Sequence, residues 1–280
     1  MIQSSTQWPN ASNLSPHAAL VIFAKAPIPG KAKTRVCPPL TSDEAAMLHG
    51  SFVLDMLERT KLAVATLQLP FQRYLACTPS SEHVFFKIME ERQGVKLIDQ
   101  VGDDLGERTQ LAFGTMFGKG YQRVFTVGTD VPSLPLDYYT QALAMLETND
   151  LVLGPALDGG YYLIGLKRTV PDLFIGIPWS TARVASMTLE KATTIRLKTA
   201  LLPPWWDVDT IEDLRVLIES SALDAKKPKN QQSFSTCTSG TLQRLANRLR
   251  SQKVVNLWRK AHFTPRTKNM LIKLFAWMRR

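Results

Sequence analysis

The clearest regularity in the chain is an alternation of short, wholly apolar runs with longer segments whose apolar positions recur every three or four residues. ALVIFA at 19–24 is continuous and partly β-branched, as expected of a strand covered on both faces. Thr41 and Glu44 then stand in a capping-box relation, and Ala45, Leu48, Phe52, Met56 and Leu57 follow at helical spacing. The same rhythm predicts strands over residues 71–77, 95–99 and 123–127 and helices over 82–91, 107–117 and 136–146. Strands separated by helices imply a mostly parallel, Rossmann-like α/β sheet.

Beyond residue 150 the rhythm changes. Residues 151–154 read as a short strand, 158–165 as a turn entering a strand, 180–192 as a helix, 201–207 as a rigid connection and 210–221 as the last helix of the body. Antiparallel additions to the sheet are expected at this end. Around this body, residues 1–17 read as a disordered polar lead-in, 18–224 as the single catalytic-size domain and 225–238 as a basic linker. Residues 239–280 read as a basic amphipathic helical tail, with Leu242, Leu245, Ala246 and Leu249 on one stripe and Thr264 and Pro265 opening a second helical stretch.

Charge sharpens that division. The net +10 is carried by the tail, since residues 225–280 hold 14 Lys and Arg and no acid, whereas residues 1–224 hold 20 basic and 24 acidic side chains. An anionic partner would therefore meet the tail and not the body. Contact with an anionic membrane, packing on the acidic body and unspecific nucleic-acid binding all fit the tail, the last of them least, because its aromatics lie on an apolar face. Three scattered cysteines, Cys37, Cys77 and Cys237, form no disulfide framework and no Cys-x-x-Cys metal site, which suits a cytoplasmic protein, held peripherally at the inner face of the membrane if the tail binds lipid.

Open α/β sheets bind ligands at the carboxyl ends of their strands, so the loops there carry the candidate chemistry. KAPIPGKAKTR at 25–35 supplies Gly30 and four cations, Lys25, Lys31, Lys33 and Arg35, a set suited to a diphosphate or triphosphate. It lacks the glycine spacing of a Walker A loop, and a solvated basic turn is the bland alternative. QVGDDLGER at 100–108 reads equally as a pocket wall or as ordinary turn chemistry before a helix. VGTDVPSLP at 127–135 places Gly128, Thr129 and Asp130 at a strand end, where Asp130 would ligate Mg²⁺ or form an Asx-turn. Asp158, Gly159 and Gly160 precede Tyr161 and Tyr162, a combination able to contact a sugar or base. Asp207 and Asp209 would complete a metal site with Asp130, although Asp209 serves equally well as the N-cap of the helix that follows.

In this order the segments resemble a family of glycosyltransferase-A-like proteins, the radical-SAM/selenodomain-associated transferases, also described as arsenosugar-biosynthesis glycosyltransferases. The matching stretches are FAKAPIPGKAKTR at 23–35, DLGER at 104–108, GTDVP at 128–132, GPALDGGYYLIG at 154–165, PWS at 178–180 and DVDT at 207–210. The resemblance implies a sheet of glycosyltransferase-A type, a nucleotide-sugar donor and a small-molecule acceptor. It also implies a divalent metal, Mg²⁺ or Mn²⁺, held through Asp130, with the basic loop on the donor phosphates. Molybdenum-cofactor and phospholactate guanylyltransferases share the sheet and a similar first loop, but their glycine-rich version is absent, which ranks nucleotidyl transfer second. For glycosyl transfer Asp158 is the candidate base toward the acceptor. A non-catalytic nucleotide-binding or scaffolding module is a third reading, against which the retained carboxylates and cations argue.

Overall fold

The computed structural model describes residues 17–224 and 236–251. Residues 1–16 of the stretch read as a lead-in, most of the stretch read as a linker, and the part of the tail beyond residue 251, where a second helix is expected, lie outside the described residues. Seven strands form one sheet in the order β3-β2-β1-β4-β6-β5-β7. β1 (Ala18–Lys25), β2 (Phe71–Thr78), β3 (Lys96–Asp99) and β4 (Arg123–Gly128) are mutually parallel, and β5 (Leu151–Pro155) and β7 (Thr199–Leu201) share a parallel ladder. β6 (Tyr161–Leu166) lies antiparallel between β4 and β5. This is the mostly parallel α/β sheet that the alternating pattern implies.

The strand pattern explains the layering. In β1, Ala18, Leu20, Ile22 and Ala24 enter one apolar cluster while Ala19 and Val21 enter the other, so a continuous apolar run is what a doubly covered strand requires. On the first face lie α1 (Ser42–Thr66), α2 (Val84–Gln93), α4 (Asp137–Thr148), α6 (Ile211–Asp224) and α7 (Thr236–Ser251). The opposite face is covered by α3 (Leu105–Gly118) and α5 (Val184–Thr194). Because α3 lies on the other face and leads to β4 on the far side of β1, the order of strand addition reverses between β1 and β4, which remain parallel. Their carboxyl ends form the crevice where doubly wound folds bind ligands.

Three local readings differ from the expectation. Residues 201–207, expected as a rigid connection, instead continue an edge pairing that begins at Thr199: β7 pairs with β5, Leu202 N donates to Leu153 O, Trp205 N to Pro155 O, and Trp205 bridges Ala156. Pro203 and Pro204 interrupt this run without ending it. α5 begins at Val184 and not at residue 180, which leaves residues 180–183 as a loop. α7 begins at Thr236, inside the stretch read as linker, and its Leu242 and Leu245 are buried in the main core.

α1 begins with the capping box expected of Thr41 and Glu44: Thr41 N donates to Glu44 Oε2 at 2.9 Å and Glu44 N to Thr41 Oγ1 at 3.3 Å. α7 then runs antiparallel to α1. Thr238 N donates to Asp55 Oδ2, Thr241 and Ser51 share a hydroxyl hydrogen bond of 2.9 Å, and Arg248 reaches the carboxylate of Glu44.

Candidate active site

A cleft opens over the carboxyl ends of β1 and β4 and has two adjoining lobes. The smaller, about 380 Å³, is walled by the loop after β1 with Lys31 and Arg35, together with His49, Gln100 and Thr129. The larger, about 790 Å³, contains Asp158, Asp207, Tyr161 and Trp179. Lys25, Arg35, Gly128, Asp130 and Asp209 border both lobes.

The first loop folds by a turn in which Lys31 N donates to Ile28 O, with Gly30 at φ 73° in the left-handed region open to glycine. Its cations then separate. Lys25, Lys31 and Arg35 are exposed on the rim, whereas the Lys33 side chain is only 5% exposed and points into a cage of oxygens. Its Nζ lies 2.8 Å from Asp130 Oδ1 and 2.9 Å from Asp209 Oδ1, and donates to Val208 O at 2.6 Å. Burial works against the ammonium, but the two carboxylates outweigh it and hold the lysine pKa above its ordinary value. Lys33 is therefore a bolt between the first loop, the loop after β4 and the 207–209 segment, and not one of the exposed cations. Arg35, 67% exposed, touches Asp209 from the solvent side at 3.6 Å.

Sequence reading missed His49, because on α1 it is one polar residue within an apolar stripe. Its Nε2 must donate to Lys25 O at 3.1 Å, since a carbonyl only accepts, which leaves Nδ1 with its lone pair facing Asp130 Oδ1 at 3.9 Å. Burial lowers the pKa, and Lys33 and Lys25 add to the effect against the pull of Asp130, so the ring is neutral and braces the mouth of the first loop. Gln100 braces the same region by donating to Ala24 O and Ala76 O.

The acids group differently from the expectation. Asp158, Asp207 and Asp209 offer oxygens within 4.8 Å of one another, while Asp130 is held by Lys33. Burial first, then the neighbouring Asp158 and Asp209, push the Asp207 carboxyl up to about 7. The N-cap alternative for Asp209 does not apply: Thr210 is the cap, its hydroxyl accepting from Asp213 N, while Asp213 Oδ2 accepts from Thr210 N at 2.8 Å. Asp158 Oδ1 accepts from Gly160 N at 2.8 Å in a tight turn. That turn depends on Gly159, at φ 95°, where a Cβ would stand 2.0 Å from Ala182 O. Gly128 is different, since its backbone is ordinary and a Cβ would meet nothing within 4 Å, so the space beside it belongs to the cleft.

Trp179 closes the larger lobe. Its indole lies on the first turn of α3 where a Cβ on Gly106 would be 2.3 Å away, and it meets Tyr161 edge to face. This contact gives a physical reason for DLGER and PWS to occur in one chain: the glycine of the first is the seat for the tryptophan of the second. Trp179 itself was part of a quoted motif, but no signal in the sequence assigned it to the wall of the cleft.

Among known proteins, residues 61–181 match the family model described as an uncharacterized protein conserved in bacteria, DUF2064. None of the curated proteins matches the sequence. A crystal structure from Desulfovibrio desulfuricans G20, named as a candidate nucleotide-diphospho-sugar transferase, superposes with a TM-score of 0.72 at 35% identity, over 84% of this chain and 97% of that one. A cytidylyltransferase from Leptospira borgpetersenii serovar Hardjo-bovis (strain JB197) superposes with a TM-score of 0.50 at 15% identity, over 84% of this chain and 95% of that one, a likeness of fold alone. With its family-model match and more than a third of its residues identical across nearly all of the Desulfovibrio protein, the chain belongs to the bacterial DUF2064 family.

Proposed function

We propose that the protein is a metal-dependent transferase that moves a glycosyl group from a nucleotide-sugar donor to a small-molecule acceptor. The observation that carries this reading is the position of Asp209, which meets the cations of the first loop and also belongs to the acid trio. A bound nucleoside diphosphate needs both neighbours: cations for its phosphate oxygens, and hard oxygen ligands for a divalent ion bridging them. The 35% identical Desulfovibrio protein, named for nucleotide-diphospho-sugar transfer, supports the transferase class and the donor type. The narrower kinship with the radical-SAM-associated transferases rests on the six motif segments.

The donor set fits Mg²⁺ or Mn²⁺. Three carboxylates this close repel one another, and burial first, then the neighbouring Asp158 and Asp209, raise the Asp207 pKa. Asp158, Asp207 and Asp209 would hold the ion, which supplies positive charge against a departing diphosphate. The set differs by one residue from the expected Asp130, Asp207 and Asp209: Asp158 is the acid grouped with Asp207 and Asp209, while Lys33 ties Asp130 to Asp209 at the junction of the lobes. Lys25, Lys31 and Arg35 bind the phosphates, Gly128 and Thr129 admit the donor close to the backbone, and Gly159 and Gly160 shape the turn carrying Asp158. The acceptor oxygen forms its bond to the anomeric carbon as the carbon–oxygen bond to the diphosphate breaks, and its proton passes to a carboxylate of the cleft, with Asp158 the candidate on the acceptor side.

The basic tail is proposed to rest on an anionic membrane, which would hold the protein peripherally at the cytoplasmic face; among the described residues no helix is long and apolar enough to cross a membrane. The transferase reading is tested by a thermal-shift screen of nucleotide sugars and nucleoside triphosphates with Mn²⁺, followed by product analysis with the best ligand. Release of a nucleoside diphosphate is expected. Release of pyrophosphate from a triphosphate would overturn glycosyl transfer in favour of nucleotidyl transfer.

A further inference from the structure

The seat of α7 determines where the tail leaves the body. α7 runs back along α1 from Asp55 toward the α1 N-terminus, and at its end Arg248 Nη2 donates to Glu44 Oε2 at 2.6 Å and to Pro39 O at 3.2 Å. Pro39 follows the cation loop within a few residues, and the N-terminus of α1 lies at the carboxyl edge of the parallel strands. The chain therefore passes Ser251 beside the cleft and not at the opposite end of the sheet. The 29 residues that follow contain eight Lys and Arg, no acid, and large apolar side chains including Trp258, Phe263, Phe275 and Trp277.

The same edge carries exposed apolar side chains. Val84, Val101, Leu105 and Leu201 all stand at or just beyond the carboxyl ends of β2, β3 and β7, and each is exposed to solvent. Leu105 also lines both lobes of the cleft. Glu82, Asp103 and Asp104 are exposed at this edge too, but Lys87 pairs with Glu82, and Lys25, Lys31 and Arg35 are exposed on the same rim, so the edge itself carries cations for an anionic surface. The chain that continues from this rim adds eight Lys and Arg in sequence, and exposed apolar side chains at the rim are suited to a headgroup boundary. Nucleic acid would use the cations but would leave the apolar rim without a role.

Resting on the membrane contact proposed above, we infer that the protein docks on anionic lipid through the cleft edge of its sheet, so that the cleft opens toward the bilayer. Full-length protein is floated with vesicles of phosphatidylcholine, with or without phosphatidylglycerol, alongside a full-length variant whose eight basic residues after Ser251 are replaced by Gln. Orientation is read from a bimane probe at V101C, on the cleft edge, or at Q122C, on the opposite edge, in a C37S, C237S background. Vesicles carry a headgroup nitroxide. The expected result is flotation that requires phosphatidylglycerol, at least about tenfold weaker binding by the Gln variant, and quenching at position 101 but not at 122. Flotation with equal quenching, or with quenching at 122 alone, overturns the orientation and leaves the membrane contact standing. Absence of flotation overturns both.

Discussion

The two lobes of the cleft are built in opposite ways. The cations of the smaller lobe come from one uninterrupted segment, residues 25–35, fixed to the end of a single strand. The acids of the larger lobe come from two segments some fifty residues apart, the turn at Asp158 and the run ending at Asp209. The cations of one lobe are thus set locally, and the acids of the other by sheet topology. Asp209 is where the two meet, through Lys33 and Arg35 on one side and the acid trio on the other.

If that junction organises the site, its removal has the largest effect. Asp209→Asn is expected to lower kcat/KM by roughly a thousandfold, the upper range for a group stabilising transition-state charge, and to weaken Mn²⁺ binding measured by calorimetry. Loss confined to one of the two would show that the lobes act separately. Asp158→Asn ranks next and separates two roles. As a metal ligand Asp158 governs Mn²⁺ affinity, whereas as the acceptor's base it leaves that affinity intact and lowers kcat with a changed pH profile.

How much of this was legible follows from the same contrast. β1, its apolar run and the cation loop could be read because pattern, turn and charge lie within about twenty residues. Which cation points where could not, since only the fold turns Lys33 inward while Lys31 and Arg35 stay on the rim. Asp207 and Asp209 were legible as a pair of acids, whereas the place of Asp158 beside them was hidden for a different reason. Residues 201–207 contain two prolines and two tryptophans and read as a connection, yet the chain pairs along β5 and then with Ala156, which carries Asp207 to Asp158. Asp130 drew attention as a strand-end acid, but its tie through Lys33 to Asp209 is a contact between segments far apart in the chain and has no local signature. His49 and the Trp179–Gly106 contact are long-range packing and have no local signature.

Two smaller substitutions test the rim. Arg35→Ala should weaken donor binding about tenfold, in the range of one charge-assisted hydrogen bond, with a reduced dependence on salt and little change in Tm, because the side chain is largely exposed. Gly128→Ala should fold with unchanged Tm, as its Cβ meets nothing within 4 Å. Its donor affinity should nonetheless fall several-fold, about 1 kcal/mol, if the ligand occupies that space. Unchanged affinity would place the donor elsewhere in the cleft.

The smallest effect is on stability, and its sign is informative. Asp207 has a folded-state pKa raised to about 7 by burial and by its two acidic neighbours. Between its ordinary value near 4 and 7 the unfolded chain releases this proton while the folded one retains it, so the native state loses stability as pH rises through that window. Asp207→Asn abolishes the loss. In metal-free buffer the variant should therefore melt higher than the wild type at pH 8, by on the order of 5 °C, and show no such gain at pH 4. Mn²⁺ should raise the wild-type Tm at pH 8 and do much less for the variant, because the mutual repulsion of the three carboxylates is what a divalent cation relieves. A variant that melts lower at pH 8 would mean that Asp207 is a structural hydrogen-bonding residue, and the acid side of the cleft would then have to be reassigned.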